Sequence, residues 1–385
     1  MRGLFPRTLL PPLLLVLFCL PAFAQDKDAV RIGVAVLRSG TEKVSVTEAR
    51  DRLVKALNQY APAAAGRDVA YMFDDIHRSA PEPAAAAARH LTTLRPEDRA
   101  AIFTTSGPPS SLGNTLLQGP GGIDFTANRQ RLQDALKSLQ PHPFNSGIRC
   151  PPMTPYMADL IVNQDDLDTL GLATKDSVNC AFGGMAQSTS DLARAEQVAK
   201  QTAMEVLGAN SAELQSTLGV LREVVQRTSA MPGTRSIVLV SPGFLTQTVD
   251  LHQALAELID RALRSDIVVN TLDVRGLSTP VPAPNASRPS NPVERTRLDR
   301  EEALERSDVL ANLAYSTGGT FFHNNNDLDE GFRRTADTPE YIYILGFSPE
   351  KLDGKFHKLK VTLNGEKLSV QARQGYYAFK PAATP

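Results

Sequence analysis

The chain has 385 residues, with 41 lysines and arginines against 42 aspartates and glutamates. This near balance gives no electrostatic basis for nucleic-acid binding, which depends on basic surface patches. There is no tryptophan, so aromatic platforms for stacking on sugars are not suggested. The length is sufficient for one large domain or two ordinary ones, and the apolar content of 42% is sufficient to bury a core.

The amino-terminal segment predicts a secretory signal peptide over residues 1–24. Arg2 and Arg7 precede an apolar stretch, and residues 22–24 (AFA) have the small-x-small pattern of a cleavage site after Ala24. The stretch is broken by prolines and is shorter than the ~20 apolar residues that a membrane span needs. We therefore expect an exported chain, periplasmic or extracellular, without a membrane span once the signal is removed.

After the signal, strand and helix patterns alternate. Residues 25–66 predict a strand at 30–37, a helix and a small-residue linker. Continuous apolar runs predict buried strands at 69–73 and 99–107, a buried strand followed by a turn within 235–245, and a strand within 267–276 that ends at Asp273. Amphipathic stripes predict helices between them. This order indicates an α/β domain at 67–350, with a doubly wound, mostly parallel sheet flanked by helices. Period-2 alternation and Asn364-Gly365 predict a C-terminal β-hairpin extension at 351–385.

Two cysteines remain after the signal, Cys150 and Cys180. An exported protein often joins such a pair, and the disulfide would close a loop of about 30 residues. Two buried free thiols are the alternative. We expect the disulfide to staple an irregular excursion at 140–190. No histidine or cysteine lies at zinc-ligand spacing from either residue.

Polar residues follow several of the predicted strands. Asp74 and Asp75 come directly after 69–73, Ser241 lies where the strand within 235–245 gives way to a turn, and Asp273 ends the strand within 267–276. Because the carboxyl ends of parallel strands meet at one edge of a sheet, sites in such sheets lie there. We therefore expect these side chains to meet in one crevice.

Several motifs occur in an order that resembles a known family. They are YMFDDIH, DRAAIFTTSG, IDFTANRQRLQDALKSLQP, CPPMTPYMADLIVN, RSIVLVSPGFL, DVRGL, LANLAYSTGGTFFHNNNDLDEGFRR and EYIYILGFSP. Over roughly 67–379 the sequence resembles the acidobacterial branch of von Willebrand factor A-related domain proteins. The resemblance implies a von Willebrand A/Rossmann-like fold and an exported interaction module. Residues 25–66 depart from it, since many members carry a β-sandwich segment before this domain.

The resemblance also implies a metal-dependent adhesion site, which many von Willebrand A domains build from an Asp-x-Ser-x-Ser turn. A hard cation such as Mg²⁺ there prefers oxygen ligands. Starting at Asp75, the serine positions hold His77 and Ser79, so one hydroxyl remains; starting at Asp74, neither position offers a side-chain oxygen. These four residues form the predicted degenerate site for Mg²⁺ or Ca²⁺. The alternative is that the two aspartates orient the turn by bonding backbone amides.

The other expected ligands of such a site are not found. Ser241-Pro242 stands where the resemblance would place a Thr-Asp pair, and the threonine ligand cannot be assigned, with Thr154 a guess. We predict no other cofactor. Ser241, Gly243 and Asp273 are predicted to line an interaction face beside the turn.

Two enzymatic alternatives use the same crevice. Asp75 and His77 have the Asp-x-His spacing of two-metal phosphoesterases, but the further Asp, Asn and His ligands are not found in the sequence. Ser241 would need a glycine two residues before it to form a nucleophile elbow, and Leu239 occupies that place.

The sequence therefore predicts an exported, non-catalytic protein that binds an unidentified protein or cell-surface ligand. The alternatives are a metal-independent structural partner of an envelope or secretion complex and, less favoured, a metal-dependent hydrolase.

Overall fold

The computed structural model describes residues 66–77, 81–106, 122–142, 149–184, 188–277 and 291–336, and four short strands outside these ranges. The chain divides into two compact units. One is Gly66–Ala336, and the other combines Met1–Ala65 with Asp337–Pro385.

The second unit is described only at two antiparallel strand pairs. Leu14–Leu15 pairs with Val36–Leu37, and Phe356–Lys358 pairs with Gly375–Tyr377. The latter pairing agrees with the predicted C-terminal β structure. The rest of the predicted signal peptide and of the 25–66 segment, and the predicted turn at 364–365, lie outside the described residues.

The unit Gly66–Ala336 is built on a six-stranded sheet. Its strands, in chain order, are β1 (Asp68–Phe73), β2 (Arg99–Thr104), β3 (Gly122–Thr126), β4 (Arg235–Ser241), β5 (Ile267–Asp273) and β6 (Phe321–Phe322). They are arranged β3-β2-β1-β4-β5-β6, and every neighbouring pair is parallel except β2 and β3. The prediction of an α/β fold with a mostly parallel sheet is thus confirmed, whereas its assignment to the von Willebrand A type stays a prediction.

Helices cover both faces of the sheet, which explains the unbroken apolar runs of the central strands. The described helices are α1 (Pro81–Leu91), α2 (Arg129–Ser138), α3 (Pro155–Asn163), α4 (Leu167–Ala181), α5 (Thr189–Ser229), α6 (Val249–Arg264), α7 (Pro292–Thr317) and α8 (Leu328–Ala336). Ala70 and Met72 of β1 face one core with α5, α6 and α7. Tyr71 and Phe73, the intervening residues, face the other core with α1, α2 and α8.

Several helices begin directly after a residue whose side chain favours the N-cap position. The side chains of Asn128, Thr154, Ser188, Thr248 and Asn291 each accept a hydrogen bond from a backbone N–H in the first turn of the helix that follows. These oxygens satisfy N–H groups that have no partner within the helix. Thr154 therefore has a capping role at α3, which accounts for it without a metal.

The segment at 140–190 is largely helical where it is described. Cys150 and Cys180 form a disulfide, as predicted, with their Cα atoms 5.8 Å apart. It joins the end of α4 to the chain before α3. Both helices pack on the amino-terminal half of α5 through small buried side chains, among them Ala158, Ala173 and Ala199.

Two strands, β3 and β2, differ from the sequence prediction. Strand β3 was not predicted, because GIDFT is short and lies at an edge of the sheet, so its pattern carries no continuous apolar run. Strand β2 ends at Thr104 instead of continuing to residue 107. Strand β4 ends at Ser241, inside the segment 235–245 that was predicted as a strand followed by a turn. Pro242 has no N–H for the sheet, and Gly243 has a φ of +83°.

Candidate functional site

The candidate site lies at the carboxyl end of β1, beside β4. The strand order reverses between these two neighbours, since β1 leads to β2 on one side and β4 leads to β5 on the other. Ligands of open α/β sheets bind in the crevice outside such a switch point. The turn after β1 is held on both sides, because the Asp74 N–H donates to Val240 O (2.9 Å) and the Thr105 N–H donates to Phe73 O (3.0 Å).

Asp74 is a buried carboxylate surrounded by donors, with 2% of its surface exposed. Its Oδ2 accepts a 2.6 Å hydrogen bond from the Ser241 hydroxyl. Its Oδ1 accepts the backbone N–H of His77 at 3.1 Å, and His77 Nδ1 lies 2.9 Å from both carboxylate oxygens. The Thr105 hydroxyl lies 3.1 Å from Oδ1.

Asp75 is equally buried, at 1% exposure, and has its own set of donors. Its Oδ1 accepts the Ser106 N–H (2.9 Å) and its Oδ2 accepts the Ser106 hydroxyl (2.5 Å). His142 Nδ1 lies 2.9 Å from Oδ2, and the His142 N–H donates to the Asp75 backbone oxygen at 2.7 Å. The Thr105 hydroxyl lies 3.0 Å from Oδ1, so Thr105 links the two carboxylates and donates to one at a time.

The ionisable groups of this network are two carboxylates and two imidazoles. In the described part of the chain, no lysine or arginine contacts Asp74 or Asp75. Burial alone would raise the pKa of Asp74, but the charge of His77 and the hydrogen bonds from His77 and Ser241 outweigh it and lower that pKa below its usual range. Asp74 is therefore an ionised acceptor, and His77 Nδ1 carries the proton between them.

The second ring nitrogen of His77, Nε2, does not take part in the contact with Asp74. The His77 side chain is only 8% exposed, and its Nε2 is buried without a hydrogen-bond partner among the described residues. The Phe244 ring lies nearby, with the two ring centroids 6.3 Å apart. A buried polar atom of this kind needs an explanation, because leaving it unpaired costs free energy.

A hard cation does not fit this arrangement of the predicted metal ligands. Each carboxylate oxygen of Asp74 and Asp75 already accepts hydrogen bonds from protein donors, and a cation would have to displace them. No group of three or more His, Cys, Asp or Glu side chains in the described residues is placed to hold a metal ion. Ser79 lies outside those residues. Binding of Mg²⁺ or Ca²⁺ stays a prediction that titration can test.

Ser241 is not arranged as a hydrolytic nucleophile. It is fully buried; its hydroxyl donates to Asp74 and accepts the Gly243 N–H at 2.9 Å. An activated serine instead donates to a base such as histidine, which a third group orients. Here Ser241 and His77 both hydrogen-bond to Asp74, and no hydrogen bond joins Ser241 to a histidine among the described residues.

The predicted interaction-face residues are buried at and just after the ends of β4 and β5. Ser241 and Asp273 are buried and stand opposite each other in the register of β4 and β5. Asp273 is paired with Arg275, with Oδ1 3.0 Å from Nε, which is the structural alternative to a binding role. The Gly243 oxygen accepts a hydrogen bond from Arg306 of α7 at 2.9 Å. These contacts hold the loops that follow β4 and β5 in place.

Three residues of the network were not predicted to belong to the site. Thr105 and Ser106 follow β2 directly, and the hydroxyl run TTS at the end of an apolar strand was the signal that could have indicated them. His142 comes after α2, between two prolines, and nothing in that spacing links it to Asp75. Only the fold brings these positions together.

Comparisons of the chain with models of protein families and with curated proteins find no match. Among the described helices, none combines the length and the apolar character needed to cross a membrane.

Proposed function

We propose that this chain is an exported, non-catalytic protein of von Willebrand A type, which binds a protein or cell-surface partner at the crevice between β1 and β4. Two features support the assignment to the von Willebrand A type. The sheet has the standard doubly wound strand order, which the sequence resemblance implies, and the motifs of that resemblance supply Asp74 at the end of β1 and Ser241 at the end of β4.

One observation supports binding over catalysis and over a metal-dependent site. The carboxylates of Asp74 and Asp75 are buried and are occupied by hydroxyl, imidazole and amide donors of the protein itself. A fully satisfied buried network makes the loops around it rigid. The loops around it offer a fixed binding surface. Among the described residues, the network contains no serine hydrogen-bonded to a histidine and no carboxylate oxygen without a protein donor.

We therefore favour an interaction that is independent of metal, as in a structural partner of an envelope or secretion complex. Export is part of this proposal and is supported by the signal pattern at residues 1–24. The metal-dependent adhesion site is the alternative, and it requires the internal hydrogen bonds of Asp74 and Asp75 to open.

Site-specific photo-crosslinking in cells that export the protein tests this proposal. A photoreactive residue replaces Gln140, which is exposed and close in sequence to His142. In the matched control it replaces Glu97, which is exposed and precedes β2, at the amino ends of the strands and away from the crevice. We expect one discrete adduct from position 140 that persists in EDTA, and none from position 97. Adducts from both positions, or no adduct from position 140, would contradict a partner at the crevice. An adduct that EDTA removes would support the metal-dependent alternative.

A further inference from the structure

Helix α7 has a second apolar side, which is exposed. Its buried side packs against the sheet and against α3 through side chains that include Leu310 and Leu298. On its outer side Val293, Leu304 and Tyr315 are 80%, 65% and 40% exposed, and no other described helix exposes as many large apolar side chains. Exposed apolar side chains collected on one face indicate an interaction surface.

The outer residues of α7 lie along one line of the helix. At 3.6 residues per turn, positions 293, 297, 300, 304, 308, 311 and 315 lie within about 80° of one another around the helix axis. The residues between the apolar ones are Arg297, Arg300, Asp308 and Ala311, of which Ala311 alone is partly covered. We call these seven residues the α7 stripe; at 1.5 Å per residue it is about 33 Å long.

The α7 stripe is symmetric about Leu304. Its positions follow one another at intervals of 4, 3, 4, 4, 3 and 4 residues, and this series is the same in both directions. A second copy of the helix, turned end for end, therefore matches the stripe position by position. The pairs across the two-fold axis are Leu304 with Leu304, Val293 with Tyr315, Arg297 with Ala311, and Arg300 with Asp308.

The charges of the stripe favour this antiparallel arrangement. Arg300 and Asp308 are exposed and form no ion pair within the described residues, whereas Arg297 and Arg306 of the same helix pair with glutamates. In the antiparallel pair each Arg300 lies opposite an Asp308, so opposite charges meet twice. A parallel pair would place like charges opposite each other at both positions, which is unfavourable.

From this symmetry we infer that α7 binds α7 of a second copy of this chain, antiparallel, with Leu304 on the two-fold axis. Such an interface is isologous, because the same surface of both copies takes part. The central residues Arg300, Leu304 and Asp308 stay in contact whether the two helices lie along each other or cross. One helix from each copy is a small contact beside those of permanent dimers, so we expect a reversible dimer with a micromolar dissociation constant.

This pairing would place two crevices on one particle. Helix α7 contacts the loop after β4, since Arg306 donates to the Gly243 oxygen at 2.9 Å. Each crevice would therefore have a fixed orientation to the two-fold axis. A surface that displays many partner molecules is bound more tightly by two linked crevices than by one. This consequence rests on the proposed function, whereas the pairing of the helices does not.

Sedimentation velocity of the purified protein over a range of concentrations tests the pairing, and we expect a monomer–dimer equilibrium. Arg300→Glu should weaken the dimer at least tenfold, because it replaces two attractions across the axis by two repulsions. Asp308→Lys should weaken it to a similar extent. The double variant Arg300→Glu/Asp308→Lys should restore the dissociation constant to within threefold. Both new residues are good helix formers at exposed positions, and we expect unchanged circular dichroism of all three variants.

A protein that stays monomeric at hundreds of micromolar would overturn the inference. So would a double variant that dimerises as weakly as the single variants, since the two charges would then not face each other.

Disulfide trapping locates the axis. In Leu304→Cys the new thiol lies beside its own symmetry copy, so oxidised glutathione should join two chains, with two thiols oxidised and the glutathione disulfide reduced. Met204→Cys is the matched control, because Met204 is 58% exposed and lies on α5, outside the stripe. We expect Leu304→Cys to form the covalent dimer at least tenfold faster. Equal rates from the two variants would overturn the inference.

A photoreactive residue in place of Leu304, introduced in cells that export the protein, distinguishes a second copy from another occupant of the stripe. We expect an adduct of two copies of this chain. An adduct with a different protein alone would overturn self-association through α7.

Discussion

Replacing Asp74 with asparagine should weaken the fold substantially, although the side chain keeps its size. The new amide places an NH₂ group where an oxygen accepts from Ser241 or His77, so at least one buried donor loses its acceptor. Hydrogen bonds to charged groups contribute about 1.5–3 kcal/mol each, and removing one partner of a buried ion pair costs about 3–5 kcal/mol. Asp74→Asn should therefore lower the free energy of unfolding by about 3 kcal/mol.

Urea unfolding followed by far-UV circular dichroism measures this loss, since the chain has no tryptophan to report by fluorescence. Asp134→Asn is the matched control, because Asp134 is a mostly exposed carboxylate of α2 and an exposed pair contributes less than about 1 kcal/mol. If Asp74→Asn stays within about 0.5 kcal/mol of that control, the buried network does not stabilise the protein and the reasoning fails.

Three further changes follow from other parts of the fold. Burial would raise the pKa of Asp98, but hydrogen bonds from two arginines lower that pKa. Because the folded-state pKa of Asp98 lies below the unfolded value of about 3.9, the ionised side chain stabilises the fold above that value. This stabilisation is lost as the pH falls. Unfolding curves measured from neutral to acid pH should show that the free energy of unfolding decreases as the pH falls. The decrease should be smaller in Asp98→Asn. Gly243→Ala should cost about 1–3 kcal/mol, because φ is +83° and the new Cβ would lie 2.6 Å from a backbone oxygen of α7; the control Gly208→Ala, in open space on α5, should stabilise by up to about 1 kcal/mol. Replacing Cys150 and Cys180 together with alanine should cost about 3–4 kcal/mol, and an unchanged urea midpoint would refute a stabilising disulfide.

The central strands and their order along the chain could be predicted because local sequence determines them. A strand buried on both faces is an apolar run, and β1, β4 and β5 each have one. The edge strand β3 lacks this signature. The beginning of α5 at Thr189 was also not predicted, since its first half is rich in alanine and buries small side chains against α3 and α4 instead of a leucine stripe.

The site was predictable only in part for a related reason. Asp74, Asp75 and Ser241 lie at strand ends, and strand ends can be located from sequence. Thr105 and His142 reach the same carboxylates from positions 30 and 67 residues away, and such contacts depend on the strand order and on the path after α2. Short motifs do not encode either.

The most direct test of the account is calorimetric titration of Mg²⁺, Ca²⁺ and Mn²⁺ into the purified protein, with Asp75→Ala as the control variant. Because protein donors occupy the oxygens of Asp74 and Asp75, the account predicts no saturable heat at millimolar metal and no difference between the two proteins. Saturable one-site binding that Asp75→Ala abolishes would contradict it, and would show that the network opens to hold a cation.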